Sequence, residues 1–155
     1  MLYPDMYEKM VNPVPKNQKV ADFYLKLITS NKKSDINFAM LNFAPYEHSI
    51  GKLNIDVNKK QEVNEAYIPS TKIFLHYMKN HYFITDKQIL KNIKKIEKIP
   101  TLILHNRLDL LCPLKGAYDL SKLLKKSTLI INPALGHGCQ KNMKNLKKIL
   151  NDFID

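Results

Sequence analysis

The chain has 155 residues, enough for one ordinary domain or a piece of a larger one. Its formal charge of +11 comes almost wholly from lysine, and scattered lysine without arginine's planar fork does not make a base-reading surface, so no nucleic-acid partner is expected. No apolar run approaches the length of a membrane span, and two cysteines outside any CxxC pair rule against a disulfide framework of the secreted kind.

The opening MLYPDMYEKM lacks the basic region, apolar stretch and cleavage site of a secretory signal, so a cytoplasmic setting without membrane attachment is the expectation. Residues 1–85 read as helices with irregular joins. The start, YPDMYEKMVNPVPKN, is rich in turn formers. VADFYLKLIT, Val20 to Thr29, places apolar residues at helical spacing. DINFAMLNFAPYEH begins on Asp35 as an acidic N-cap candidate and is interrupted by Pro45. After the polar NIDVNKKQEVNE, the stretch STKIFLHYMKNHYF opens on Ser70 as a second cap candidate. It carries Ile73, Leu75, Tyr77 and Met78 towards an aromatic cluster.

Residues 86–155 are more regular. TLILH, Thr101 to His105, follows Pro100 and has the pattern of a strand buried on both faces. LKGAYDLSKLLKK then sets Leu114, Ala117, Leu120 or Ser121, and Leu124 near one helix face. STLIINPA is a second buried-strand candidate, and KNMKNLKKILNDFI repeats apolar residues at Met143, Leu146, Leu150 and Phe153. Strand, helix, strand, helix implies a parallel pair joined by a crossover, an α/β arrangement.

In open parallel sheets, working residues gather where strands end at their carboxyl edge. Asp109 follows the first strand and His137 the second, so both loops leave the same rim. Adjacent strands lie about 5 Å apart, close enough for a carboxylate to meet an imidazole. That pairing suits an orienting acid and a general base. Gly136 and Gly138, on either side of His137, permit a turn with unusual dihedrals. A surface histidine between turn glycines, and an Asp109 paired with Arg107, are the plainer alternatives.

A nucleophile is missing. The hydrolase order is nucleophile, acid, histidine, with the nucleophile on a glycine-flanked elbow after a strand. Ser30, Ser34, Ser49, Ser70, Ser121 and Ser127 all lack that setting, as do Cys112 and Cys139. The chain on its own is therefore expected to be inactive. A different chemistry is also open, because His105, Asp109, Cys112, His137 and Cys139 gather near one rim and include zinc-ligand types. Their spacings match no familiar metal site, and no metal or other cofactor is expected.

Several ordered stretches carry a resemblance to one family. YPDMYEKMVNPVP is similar to the FPDAWE…PIP stretch of bacterial prolyl aminopeptidases, the proline iminopeptidases. NFAPYEHSIGKL is similar to their W-x-x-WE segment, with Phe43 and Tyr46 in place of tryptophans. Asn80 to Phe83, NHYF, matches ENHYF. IPTLILHNRLDLLCP matches IP-x-x-I-x-x-GRYD-x-x-CP, with Asn106 for glycine and Leu108 for tyrosine. Gly136–His137 matches the histidine loop.

The resemblance implies the C-terminal part of a serine-type α/β-hydrolase. Residues 1–85 would be most of a helical cap, and residues 86–155 the last strands and helices of the core. It implies Asp109 as the triad acid, His137 as the base, and Glu47 as the cap carboxylate that binds a substrate's N-terminal ammonium. The substrate would be a peptide with N-terminal proline. The nucleophile and oxyanion hole would come from a separately encoded N-terminal half. Lys79 stands where the family has a glutamate, placing a cation beside the amine pocket where it can pair with Glu47. The alternative is a non-enzymatic remnant or interaction protein using the cap pocket or the basic surface.

Overall fold

The computed structural model describes residues 3–46, 62–138 and 145–154. Two compact units divide the chain, Met1–Asp86 and Lys87–Asp155. The first is helical: α1 (Pro4–Val11), α2 (Val20–Ile28), α3 (Lys33–Asn42) and α4 (Ile68–Lys79).

The turn-rich opening is in fact the helix α1. Pro4 occupies its first turn, where a missing N–H costs nothing, and Asp5 sits at its positive end. Met6 and Met10, four residues apart, are the side chains it buries. Helix α2 buries Ala21, Tyr24 and Ile28 on one face. Helix α3 starts two residues before Asp35, so that carboxylate lies in the first turn while Lys32 holds the cap position. Residues 44–46 are helical again, Pro45 included. Helix α4 likewise begins earlier than Ser70. Its cap residue is Tyr67, whose carbonyl accepts the Ser70 hydroxyl at 2.9 Å.

The helices close over a core of Met10, Tyr24, Ile28, Ala39, Met40, Phe43, Ala44 and Leu75. Tyr24, Phe43, Ile28 and Leu75 are fully enclosed, each contributing about 1.5–3 kcal/mol of burial. Phe43 lies against Tyr24 at 5.4 Å and Phe74 at 6.0 Å, and Tyr46 meets Tyr7 edge-on at 5.7 Å. The two aromatics standing for family tryptophans are thus packing residues. Of the α4 positions expected inside, Leu75 is buried, whereas Ile73 and Tyr77 lie on the exposed side.

The second unit opens with a single turn, α5 (Gln88–Lys91), and continues through β1 (Thr101–Asn106), α6 (Leu114–Leu123), β2 (Ser127–Asn132) and α7 (Leu146–Ile154). The strands pair in parallel, Thr101 opposite Ser127 through Asn106 opposite Asn132. Every residue of β1 is half-buried rather than enclosed, because the sheet described has two strands and no flanking ones. On α6, Leu114, Ala117, Leu120 and Ser121 are half-buried, as their spacing predicts, as is Asp119, and a buried Leu124 follows. Among the described residues no helix is long and apolar enough to cross a membrane.

Candidate active site

Both strands end on asparagine, and the chain turns over their carboxyl ends. The Arg107 amide reaches across to the Asn132 carbonyl at 2.8 Å, and the Leu108 amide to the Leu135 carbonyl at 3.1 Å. The Asn106 side chain donates to the Gly136 carbonyl at 2.8 Å. These bonds tie the loop after β1 to the loop after β2. Asn106 had stood out in sequence only as a departure from the family glycine. An amide side chain at a strand end, able to reach the neighbouring loop, was the available signal.

The tied loops bring Asp109 and His137 together. His137 Nδ1 lies 3.0 Å from Asp109 Oδ2. The second carboxylate oxygen, Oδ1, accepts the Cys112 amide at 2.7 Å. Asp109 is the buried charged residue among those described, at 9% exposure, while the His137 side chain is 41% exposed. The buried member is therefore fixed from both oxygens, and the imidazole leans from it towards solvent. Asp109 does not pair with Arg107, which is exposed and has no ion pair among the described residues.

Gly138 takes φ 71°, a conformation that L side chains rarely adopt, with open space where a Cβ would sit. Gly136 does not share that left-handed backbone. Its part is to be buried and to offer its carbonyl to Asn106. Between the loops lies a cavity of about 330 Å³, bounded by Leu104, Asn106, Asp109, His137 and Leu146. Its walls pair a polar rim with two leucines, a shape that admits a small organic group beside the imidazole.

The Cys112 thiol is exposed, and partial burial together with the Asp109 carboxylate pushes its pKa up. Its Sγ, an Asp109 oxygen and a His137 nitrogen all lie within 4.8 Å of one another. Of the five rim residues with metal-ligand side chains, the structure thus gathers three. His105 instead sets its Nδ1 3.0 Å from the Asn106 carbonyl, and Cys139 falls outside the described residues.

Glu47 also falls outside the described residues. Lys79 pairs with Asp22 at 2.9 Å, across from α4 to α2. Both side chains are substantially exposed, so the pair adds at most about 1 kcal/mol, yet it gives the lysine a carboxylate of its own.

Residues 81–155 match the family model described as TAP-like protein, an α/β-hydrolase family. The chain is 30% identical over 141 residues to a probable proline iminopeptidase of Leptolyngbya boryana, covering 88% of this chain and 44% of that protein. A proline iminopeptidase of Xanthomonas citri is 29% identical over 144 residues, with 88% of this chain and 45% of that protein covered. One from Arabidopsis thaliana is 29% identical over 142 residues, covering 37% of its length. The chain therefore spans less than half the length of these relatives. From the motifs through these matches, the conclusion is that the chain belongs to the proline iminopeptidase family of α/β-hydrolases.

Proposed function

We propose that this chain supplies the acid and the base of a proline iminopeptidase-like serine hydrolase, which releases N-terminal proline from peptides. The nucleophile and oxyanion hole would come from a part of the enzyme outside these residues. The observation that carries the reading is the 3.0 Å contact between His137 Nδ1 and Asp109 Oδ2, on loops leaving adjacent parallel strands.

In the assembled site, the hydroxyl of the incoming serine attacks the prolyl carbonyl and passes its proton to His137 Nε2. Asp109 holds Nδ1–H, fixes the tautomer and stabilises the imidazolium as it forms. His137 then returns the proton to the departing amine, leaving a prolyl ester on the serine. Water, deprotonated by His137, hydrolyses that ester, and the proton goes back to the serine oxygen as proline leaves. The Cys112 amide on Oδ1 keeps the carboxylate from turning away during this cycle. Glu47, in the cap formed by residues 1–85, receives the substrate ammonium. Lys79, the cation that stands where the family has a glutamate, has a carboxylate partner in Asp22. The chain alone is inactive, because an acid and a base without nucleophile and oxyanion donors form no acyl-enzyme.

The test is co-expression with the N-terminal half of a proline iminopeptidase, followed by assay on prolyl- and alanyl-arylamides. The pair is expected to release arylamine, neither part alone to do so, and the pair carrying His137→Ala to lose the activity. A folded, associated pair that hydrolyses nothing would leave the chain as a non-enzymatic interaction protein.

A further inference from the structure

We infer that Asn106 is the positioning residue of the acid–base pair, the side chain that holds His137 where Asp109 can orient it. The inference deepens the hydrolase reading and rests on it for the roles of those two residues. Asn106 ends β1 and touches both arms of the pair. Its backbone carbonyl accepts the Asp109 amide at 3.3 Å, closing the turn that presents the acid. Its side-chain Nδ2 donates to the Gly136 carbonyl at 2.8 Å, on the peptide unit that leads directly into His137. One residue thus sets the acid loop and the base loop against each other.

The base needs such a hold because glycine flanks it on both sides, and glycine backbone swivels more freely than any other. The backbone bonds across the rim stop short of the imidazole. Arg107 donates to the Asn132 carbonyl, and Leu108 to that of Leu135, two residues before His137. The Asn106 amide reaches one residue closer. Gly136 is buried, so its carbonyl has lost water, and without Asn106 it would be an unpaired buried acceptor. The loop could relieve that only by turning the carbonyl outward, and the turn would carry His137 with it. Asn132, the matching last residue of β2, spends its side chain within its own loop, accepting the Ala134 amide at 3.2 Å. A glycine at position 106, usual in the family, could supply the turn carbonyl but not the crossing donor.

Asp109 is fixed separately by the Cys112 amide, so loss of the Asn106 bond misplaces the base rather than the acid. An imidazole released from Asp109 is free to carry its proton on Nε2, the atom that must accept the serine proton. The chemical step then slows while substrate binding is left alone.

The experiment reads the His137 tautomer in the full chain, with ¹⁵N-labelled histidine at alkaline pH, where the imidazole is neutral. The His137 signals are those missing from His137→Ala. The parent is expected to carry the proton on Nδ1. Asn106→Ala, and Asn106→Leu, which keeps the bulk but lacks the donor, should shift it towards Nε2. Ser127→Ala removes a side-chain bond to the Ser121 carbonyl at the far end of β2 and serves as the structural control, with its tautomer unchanged. In the complemented enzyme, both Asn106 variants should lower kcat roughly 10- to 100-fold with KM little changed. An unchanged tautomer in the Asn106 variants overturns the inference, and so does a kcat loss no larger than that of Ser127→Ala. If the parent pair hydrolyses nothing, the hydrolase reading fails, and the tautomer still decides whether Asn106 positions His137. Circular dichroism checks each fold, and should leucine unfold the loop, Asn106→Ala and Asn106→Gly carry both readings.

Discussion

Asp109 serves two partners at once, the Cys112 amide through Oδ1 and the His137 imidazole through Oδ2. Asp109→Asn keeps the shape and can keep the first bond, but it aims an amide donor at Nδ1 and selects the wrong imidazole tautomer. In the complemented enzyme, arylamide turnover should fall by about 10⁴-fold with KM little changed. A loss under tenfold would remove Asp109 from the acid's place. This pair was legible because strand-end position is a rule of topology. Asn106 was not, because its bond to the Gly136 carbonyl spans loops whose closeness exists only after folding. In the first unit, Tyr24 carries a different prediction. Its hydroxyl donates to the Met10 carbonyl at 2.6 Å, and burial pushes its pKa up to about 12. The unfolded chain ionises near 10, so above that pH it binds fewer protons than the native state. Stability is therefore whole below pH 10 and declines as pH rises towards 12, by roughly 2–3 kcal/mol from this residue. Urea midpoints over that range should drop less in Tyr24→Phe than in the parent, and parallel curves would refute the assignment.

Among the elements, the turn after α4 stores the most backbone strain. His81, Tyr82 and Phe83 take φ of 51°, 55° and 56° in succession, each costing about 1–2 kcal/mol relative to ordinary backbone. Ring contacts offset part of it: Tyr82 lies 6.2 Å from Phe74, and Phe83 lies 5.3 Å from Tyr77. Lys87, with φ 60° and ψ 11°, is exposed and shows no ring contact of that kind. Lys87→Gly should therefore stabilise the chain by about 0.5–1 kcal/mol, after allowing for glycine's greater freedom when unfolded. A lower urea midpoint in the variant would show that the left-handed turn at Lys87 is unstrained. The helices themselves were readable from spacing, their starts less so. Helix α1 was hidden because Pro4, Pro13 and Pro15 make its stretch look broken, whereas Pro4 begins the helix and the other two lie beyond its end. Asp35 and Ser70 resemble caps by type, but α3 and α4 start two residues earlier in each case, α4 on Ile68 and Pro69.

Across the whole molecule, apolar burial is unevenly divided. The helical unit encloses a core of Met10, Tyr24, Ile28, Ala39, Met40, Phe43, Ala44 and Leu75, while β1 is half-buried along its full length. The sequence suggested the opposite emphasis, because continuous apolar runs such as TLILH mark strands covered on both faces. That pattern describes the surroundings a strand is made for, and a two-stranded sheet does not provide them. Local opening should follow burial rather than hydrophobicity. Amide exchange is thus expected to be slowest on α2 and α4, at Ile28 and Leu75, and roughly tenfold or more faster at Ile103 and Ile130 in the strands. Under the proposed assembly, adding the N-terminal half of a proline iminopeptidase should slow exchange in β1 or β2, where unpaired strand edges await neighbours, more than in α2. Strand amides as protected as those of Ile28 in the isolated chain would mean the two-stranded unit is stable without further covering, and the case for a missing partner strand would fail.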